Sequence, residues 1–283
     1  AQVFQFPVIY DTMTVYDNLA FPLRNVRTPE ARVHERVMEV ADVLELTGQL
    51  KRKAKNLTAD EKQKVSMGRG LVRDDVSAIL FDEPLTVIDP QLKWKLRRKL
   101  KEIHQRFAIT MVYVTHDQLE ASTFADKIAV MYEGQVVQFG TPRELFETPN
   151  HTFVGYFIGS PGMNFFEVTT QGDAVMSGDV TLTVSDSVRA AIGKARSHNV
   201  KLGIRPEFVE VHDKPVVGGM EVVVDHAQDL GTYSILYLML GDMPLKARIE
   251  EDQVTPKGKA WLRFPDERIG LYVDEFRVEI DHE

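Results

Sequence analysis

Two adjacent carboxylates follow a short apolar run in the first half of the chain. The run is Val76 to Phe81, and the carboxylates are Asp82 and Glu83. In an open α/β sheet, ligands bind beyond the carboxyl ends of the strands, so both side chains are predicted to lie at a ligand-binding edge. There, one carboxylate can hold Mg²⁺ while its neighbour orients a water molecule. The pattern alone also fits a strand that ends in a solvated acidic turn.

A histidine follows a second apolar run. Residues Ile109 to Val114 precede Thr115 and His116, and the run is typical of a buried strand. A histidine at this position can take part in a reaction, or it can be an ordinary hydrogen-bonded side chain at a strand end. The other histidines are scattered without the spacing of metal ligands, and we assign them no role.

Alternating helices and strands must position these side chains. Gln91 to Phe107, between the two runs, is predicted to be a charged surface helix. Upstream, Thr28 and Pro29 predict a helix start, with Pro29 at the first helical position, and Gly48 predicts its end. The apolar stripe of that helix is Val33, Val37, Val40 and Leu44. We therefore expect an α/β domain with a mostly parallel sheet, its strands buried on both faces.

The pattern changes to short β-rich runs after Gly159 to Gly162. These runs predict a small all-β barrel or sandwich, and we place the domain border so that the domains are 1–158 and 159–283. Just before it, Ile128 to Phe139 predicts two strands that turn at Glu133 and Gly134, and Pro142 to Phe146 predicts a short helix. The β-rich runs are Val180 to Val184, Val200 to Ile204, Val222 to Val224, Ile235 to Leu240 and Trp261 to Phe264.

Composition excludes several classes of protein. The chain has no cysteine, which excludes disulfides and thiolate metal sites and favours a reducing, cytoplasmic compartment. Its net charge of -8 disfavours nucleic acid as a partner, and we interpret the basic clusters Lys51 to Lys55 and Lys93 to Lys101 as solvated helix faces. No apolar run reaches the ~18 to 20 residues of a membrane span, so a role at a membrane requires a partner protein.

Three further segments, together with the carboxylates, resemble the ATPase subunits of ABC transporters in order and spacing. Val3 to Gln5 resembles the Q-loop of that family, and Leu85 to Pro90 resembles its D-loop, with Asp89 as the characteristic residue. Thr115 to Asp117 resembles its switch-histidine segment. The resemblance implies a P-loop NTPase fold that uses ATP and Mg²⁺.

The resemblance also implies roles for single residues. Gln5 would contact Mg²⁺ and the attacking water, and Asp82 would hold Mg²⁺ through water. Glu83 would be the general base or water-orienting group, and His116 would contact the γ-phosphate and stabilise its developing charge. Asp89 would contribute to nucleotide binding.

The second half resembles the maltose-type, sugar-importing branch of the family. Gly155 to Phe165 and Leu202 to Glu207 resemble its linker and its accessory domain, called TOBE, which has an OB-like barrel. The resemblance implies a bacterial importer of a sugar, a polyol such as glycerol or a related solute. The subunit would lie in the cytoplasm on the inner face of the membrane, bound to transmembrane permease subunits through Val8 to Leu23. A periplasmic solute-binding protein would act on it indirectly.

One expected motif does not occur in the sequence. The phosphate cradle of this family is Gly-x-x-x-x-Gly-Lys-Ser/Thr. Gly193-Lys194 and Gly258-Lys259 are both followed by alanine. Because the resemblance begins abruptly near Val3, we interpret this as a truncated ATPase domain, and we expect the sequence as given not to hydrolyse ATP.

A second motif is altered. Where the family has the signature Leu-Ser-Gly-Gly-Gln, this chain has Leu57, Thr58, Ala59, Asp60 and Glu61. The resemblance implies that Thr58 to Glu61 face a nucleotide. Thr58 and Glu61 also form a capping-box pattern, in which the cap stabilises a helix by ~1 kcal/mol. A carboxylate at Asp60, ~4 Å from a phosphate charge, costs about 4 kcal/mol at an effective dielectric constant of 20. This loop is therefore predicted to stabilise the fold and to weaken the binding of ATP.

Because ABC ATPases act as head-to-tail dimers, this loop predicts a heterodimer with a second ATPase subunit. The competent site would use Asp82, Glu83 and His116 of this chain. The alternative is a non-catalytic structural or regulatory subunit, favoured by the altered signature and the missing cradle. The intact Asp82, Glu83, Asp89 and His116 oppose that alternative. A soluble ABC protein that acts on ribosomes or DNA is disfavoured by the acidic charge and the importer-like β-domain.

Overall fold

The chain forms two compact units. The structure, a computed structural model, describes residues 1–86, 88–107, 109–253 and 255–280, with the backbone alone at 91, 92, 106 and 107. The units are Ala1–Ala125 and Asp126–Glu283. Residues 126–158, which the sequence analysis assigns to the first domain, are part of the second unit. The border at 158/159 stays a prediction.

The first unit is an α/β structure with a parallel sheet, as the sequence predicts. The strand order is β1-β2-β3, and both pairings are parallel. The elements are β1 (Gln2–Val3), α1 (Val15–Asn25), α2 (Glu30–Val43), α3 (Ala59–Leu71), β2 (Ala78–Asp82), α4 (Pro90–Phe107), β3 (Thr110–Val114) and α5 (Gln118–Phe124).

The sheet is buried on one face only within the described chain. Ile79 and Phe81 of β2 pack into the core that the helices share. Leu80, Val112 and Val114 are about half exposed. The prediction that both strands are buried on two faces is therefore wrong for the described chain, because the core of this unit covers the Ile79 and Phe81 side alone.

Helix α2 keeps its predicted apolar stripe but not its predicted ends. Pro29 is the residue before the first turn, and Glu30 is the first helical residue. The helix ends at Val43, well before Gly48. Glu45, with φ 59°, takes the left-handed position after the helix, and the N–H of Leu46 donates to the carbonyl of Ala41 at 2.7 Å. This is the Schellman arrangement, formed here without glycine.

The second unit is rich in antiparallel sheet, as predicted. Its strand orders are β17-β16-β10-β6, β11-β15-β12-β13-β14, β7-β8-β9 and β4-β5. Its helices are α6 (Pro142–Glu147), α7 (Thr152–Phe157) and α8 (Asp186–Lys194). The strands are β4 (Ile128–Tyr132), β5 (Gln135–Gly140), β6 (Asn164–Glu167), β7 (Thr169–Gln171), β8 (Ala174–Ser177), β9 (Val180–Leu182), β10 (Val200–Ile204), β11 (Glu210–His212), β12 (Met220–Asp229), β13 (Tyr233–Leu240), β14 (Met243–Glu250), β15 (Lys259–Arg263), β16 (Gly270–Val273) and β17 (Phe276–Val278).

Two local predictions in this unit are confirmed, and several elements were missed. The β4–β5 hairpin turns at Glu133 and Gly134, both at positive φ, which suits the twist of a two-residue hairpin. Helix α6 begins at Pro142 behind a capping box. Helix α8 was not predicted, although Ser185 caps its first turn. Among the described residues, no helix is both long and apolar enough to cross a membrane.

A buried arginine holds the helices of residues 142–158 against the β-rich part of this unit. The side chain of Arg205 is 1% exposed. It donates hydrogen bonds to the carbonyls of Leu145 (3.4 Å), Phe146, Gly155 (3.4 Å) and Ile158 (2.6 Å). Burial lowers the pKa of Arg205 to about 10. Carbonyls near the ends of α6 and α7 carry partial negative charge, so they compensate the buried cation.

We predict that Arg205→Met destabilises the second unit by about 3 kcal/mol or more, since each buried carbonyl left without a donor costs roughly 1–3 kcal/mol. Urea unfolding in a Trp94→Phe background, where fluorescence reports Trp261 of this unit alone, measures the change. Arg143→Met, which removes an exposed arginine paired with Glu147, is the control and should change the midpoint little. Equal midpoints for the two variants would contradict this role of Arg205.

Candidate functional site

The ends of three parallel strands meet at one edge of the first unit. The register pairs Val3 with Phe81 and Asp82 with Val114. Because the pairings are parallel, the segments that leave β1, β2 and β3 emerge on the same side. The sequence-predicted side chains that these segments carry are Gln5, Asp82, Glu83 and His116.

The structure brings three of these residues together at Glu83. Nδ1 of His116 lies 2.9 Å from Oε1 of Glu83. The amide of Gln5 donates to Oε2 at 3.4 Å, and the hydroxyl of Thr86 donates to the same oxygen at 3.2 Å. Thr86 was not predicted. A glutamate that accepts from three side chains is held in place without being buried.

The backbone of Glu83 has an uncommon conformation. Its φ is 43°, in the left-handed region, and its N–H donates to the carbonyl of Val114 at 3.0 Å. For a residue other than glycine, this conformation costs about 1–3 kcal/mol and tends to occur at functional sites. The turn directs the Glu83 side chain towards His116, which follows the neighbouring strand.

The two titratable groups change each other's pKa. The hydrogen bond from His116, and then that from Thr86, lowers the pKa of Glu83 below its usual value. The same bond raises the pKa of His116, and the charges of Asp117 and Glu120 add to this effect. The imidazole is 73% exposed. An ionised carboxylate and an accessible imidazole therefore face the same solvent.

A buried glutamate holds the residue that precedes the histidine. Glu120 is 4% exposed and accepts hydrogen bonds from the hydroxyls of Tyr113 and Thr115, each at 3.0 Å. Lys93 lies 3.9 Å from its other oxygen. Burial raises the pKa of Tyr113, so its hydroxyl remains a donor. Glu120 thus fixes the residue before His116. Sequence reasoning missed it because nothing in the sequence shows that this carboxylate is buried.

The residues at this edge fit a magnesium ion that also binds a nucleotide. Asp82 is exposed at the end of β2. The side-chain nitrogen of Gln5 donates to Glu83, so the side-chain oxygen of Gln5 can bind another partner. Mg²⁺ prefers oxygen ligands and is usually held by one or two carboxylates together with phosphates and waters. Among the described residues, no cluster of three or more acidic or histidine side chains is placed to hold a metal.

The capping box predicted at the start of α3 is confirmed. The hydroxyl of Thr58 accepts from the N–H of Glu61 at 3.2 Å, and the carboxylate of Glu61 accepts from the N–H of Thr58 at 2.9 Å. Ala59 is the first helical residue. Arg52 lies 3.4 Å from the other carboxylate oxygen of Glu61.

Asp60 is only partly exposed, and its charge is partly compensated. Oδ2 lies 3.8 Å from Nζ of Lys64, whereas no described residue donates to the buried Oδ1. Burial raises the pKa of Asp60, Lys64 opposes this, and the charges of Glu61 and Asp89 add to the rise. Lys64 was not predicted to compensate Asp60, and its charge weakens the predicted repulsion of a phosphate. Asp89 is exposed. Val87, in the predicted D-loop, lies outside the described residues.

Gln63 connects α3 to the site. Its side chain is fully buried, and its amide donates to the carbonyls of Phe4 (3.2 Å) and Pro84 (2.8 Å). These carbonyls belong to the segments that carry Gln5 and Glu83. The sequence marks Gln63 only as a polar residue in a buried helix, so its role was not predicted.

Comparisons with known proteins give consistent results for both units. The MalK OB fold domain family matches residues 159–209. The sn-glycerol-3-phosphate import ATP-binding protein UgpC of Salmonella choleraesuis is 37% identical over 279 residues, 97% of this chain and 77% of that protein. UgpC of Psychromonas ingrahamii is 38% identical over 99% of this chain and 73% of that protein. The oligosaccharides import ATP-binding protein MsmX of Bacillus subtilis is 38% identical over 88% and 70%.

We predict that His116 titrates above its usual pKa of about 6.5 and that Glu83→Gln lowers this value. The reason is that the raised pKa depends on the carboxylate at 2.9 Å. NMR titration of the imidazole signals measures the pKa of His116 in the unmodified protein and in the variant. Because the pKa is raised in the folded state, the contact stabilises the fold below the pKa of the unfolded state. This stabilisation is lost as the pH rises through the pKa of the folded state. Glu147→Gln, in the other unit, is the control. An unchanged titration in Glu83→Gln would contradict the contact.

Proposed function

The chain belongs to the maltose-type family of ATP-binding subunits of ABC importers and is thus a transport ATPase subunit; we propose that its solute is a sugar, a polyol or a related compound. The similarity to import proteins for sn-glycerol-3-phosphate and for oligosaccharides supports this range. Such a solute contacts the membrane subunits and the binding protein, so the residues of this chain do not narrow the range further.

The cluster of Gln5, Glu83 and His116 is the observation that carries the proposed chemistry. Glu83 orients the attacking water. That water competes for the carboxylate with the side-chain donors that hold it in this structure. Its lowered pKa keeps Glu83 ionised, so the carboxylate can orient the water or accept its proton. His116, exposed beside it, contacts the γ-phosphate and stabilises charge that develops there. Gln5 contacts the same water.

Asp82 and Gln5 are the proposed magnesium contacts. The chemistry that a bound Mg²⁺ would supply here is neutralisation of phosphate charge. Asp82 offers an exposed carboxylate at the strand end. Gln5 offers an amide oxygen beside Glu83, so one side chain serves both the ion and the water.

The start of α3 is the proposed contact with a nucleotide held by the opposite subunit. The hydroxyl of Thr58, the backbone of Ala59 and the D-loop residue Asp89 belong to this surface. Asp60 and Glu61 bring negative charge to it. Lys64 compensates part of the charge of Asp60, but the partly exposed carboxylate still lies where a phosphate would approach.

A heterodimer follows from this defect. Two copies of this chain would place Asp60 in both composite sites, whereas a second ATPase subunit with an intact signature would complete the site built on Asp82, Glu83 and His116. The non-catalytic alternative has the altered signature in its favour. The contacts that hold Glu83, and the support of His116 by Glu120, favour the catalytic subunit.

The proposed membrane partner is a pair of permease subunits, which contact Val8 to Leu23. The rings of Tyr10 and Phe21 in this segment lie 4.8 Å apart, tilted by 60°, and Arg69 lies over the ring of Tyr10 at 4.7 Å. Phe6, just before the segment, is exposed. Exposed aromatic groups of this kind suit an inserted helix of a partner. The subunit then lies on the inner face of the membrane, and a periplasmic binding protein acts through the permease.

Glu83→Gln in the assembled transporter should lower ATP turnover about 10²- to 10⁴-fold while nucleotide binding persists. The amide keeps the shape of the side chain but does not hold the water as a carboxylate does, and Asp82 remains. Steady-state hydrolysis and fluorescent-nucleotide binding measure the two effects. Glu102→Gln, a surface change on α4, is the control. Turnover within a few-fold of the unmodified protein would refute the role of Glu83 and favour the non-catalytic alternative.

The altered signature predicts unequal sites in the reconstituted heterodimer. Disabling Glu83 should abolish most turnover, because the competent site takes this glutamate from the present chain. Disabling the corresponding glutamate of the second subunit should matter much less, since that site faces Asp60. Two variants separate the causes: Asp60→Asn removes the charge and keeps the shape, and Asp60→Gly removes both.

We expect Asp60→Asn to restore part of the activity of the impaired site and Asp60→Gly to restore more. Glu147→Gln, remote from the site, is the control for a change of charge. Equal losses from the two glutamate variants would refute the asymmetry, as would a full-length homodimer that hydrolyses ATP as fast as a relative with an intact signature.

A further inference from the structure

An open cleft in the Asp126–Glu283 unit has no part in the ATPase chemistry proposed above. It lies between the β4–β5 hairpin, the start of α7 and the β16–β17 hairpin, and its volume is about 710 Å³. Pockets for small molecules commonly have volumes of roughly 300–1,000 Å³. The cleft is therefore large enough for a small ligand.

Aromatic side chains form one wall of the cleft. The rings of Tyr132 and Phe153 stack with centroids 4.4 Å apart, and His151 lies edge-on to Phe276 at 4.8 Å. Tyr156 is 70% exposed and Phe276 is 53% exposed. Exposed aromatic rings on a concave surface mark a site for a ligand that has an apolar surface.

The charged groups of the cleft are mostly acidic. Carboxylates come from Glu133, Asp274 and Glu275, and an ammonium group comes from Lys201. Nζ of Lys201 is 2.5 Å from Oε1 of Glu275, so these two charges compensate each other. Arg277 follows Phe276 in β17 and points to the other side of the strand, because side chains alternate. Glu133 and Asp274 leave the cleft with excess negative charge, which disfavours anionic ligands.

The floor of the cleft is already ordered. Glu275 accepts hydrogen bonds from Lys201, Thr152 and Asn199 (3.2 Å), and its carbonyl accepts from the N–H of Thr152 at 2.9 Å. Burial opposes its ionisation, but these donors outweigh burial and lower the pKa of Glu275 to about 2. A ligand therefore meets a fixed surface and need not order it.

We propose that this cleft binds an alkylated organic cation, such as a quaternary ammonium compound. The alkyl groups of such a cation contact the rings of Tyr132, Tyr156 and Phe276, whose faces attract positive charge. Its charge faces Glu133 and Asp274. A small inorganic cation would keep its water and gain little from the rings, and an anion would be repelled. Rings and excess carboxylates together thus select this class of ligand.

The test compares choline with 3,3-dimethyl-1-butanol, which has the same shape without the charge. Calorimetric titration of the full chain should show choline binding and at least about 3-fold weaker binding of the neutral compound. Tyr132→Leu and Phe276→Leu should each weaken choline binding roughly 3- to 30-fold, and Glu133→Gln should weaken choline alone. Phe139→Leu, an exposed ring outside the cleft lining, is the matched control.

Circular dichroism shows whether each variant folds. Glu133→Gln, on the exposed hairpin, tests the site even if Tyr132→Leu does not fold. The absence of choline binding at about 50 mM would overturn the proposal. This concentration is roughly 50 times a Kd of about 1 mM. The proposal would also be overturned if the neutral compound bound as tightly as choline, or if maltose displaced choline. The cleft would then be a site for neutral ligands. Equal effects of Phe139→Leu and Phe276→Leu would place the binding elsewhere.

Discussion

The N–H of Glu83 donates to the carbonyl of Val114, and this bond ties the end of β2 to the end of β3. The positive φ of Glu83 turns the chain at that point, so its carboxylate meets His116, which leaves the neighbouring strand. Gln5 arrives from β1 on the other side. Each contact of the site depends on this turn, because parallel pairing brings the strand ends together and the turn directs the side chain. The strain at Glu83 is offset by the hydrogen bonds that its carboxylate accepts.

The start of α3 shows local stability and function in conflict. Thr58 and Glu61 satisfy backbone donors that an uncapped helix would leave to solvent. The acidic first turn also suits the helix dipole. The same acidic turn leaves one carboxylate oxygen of Asp60 buried, without a donor among the described residues, and burial, with the charges of Glu61 and Asp89, raises the pKa of Asp60. Departures from local consistency tend to occur at functional sites. Here the helix start is consistent with folding, and the nucleotide contact that we propose for it is the part that is weakened.

The second unit depends on a different kind of interaction. Arg205 is a buried cation whose hydrogen bonds within the described part of the chain go to backbone carbonyls and to no carboxylate. These carbonyls come from α6, α7 and the residue that follows α7, so one side chain holds two short helices that would be unstable alone. Glu275 has the corresponding role at the start of α7, through Thr152. Both contacts help to order the walls of the aromatic cleft.

The sequence by itself determined the family, the parallel sheet of the first unit, the capping box at Thr58 and the hairpin at Glu133. The cap and the hairpin depend on residues a few positions apart, whereas the family and the type of sheet follow from the order of motifs, apolar runs and helices along the chain. Tertiary structure alone decided that Glu120 is buried behind His116, that Lys64 partly compensates Asp60 and that Gln63 joins α3 to the site. It also gathered the aromatic side chains of the cleft. Those contacts join residues of separate elements, and which side chains meet is decided only when the elements pack together.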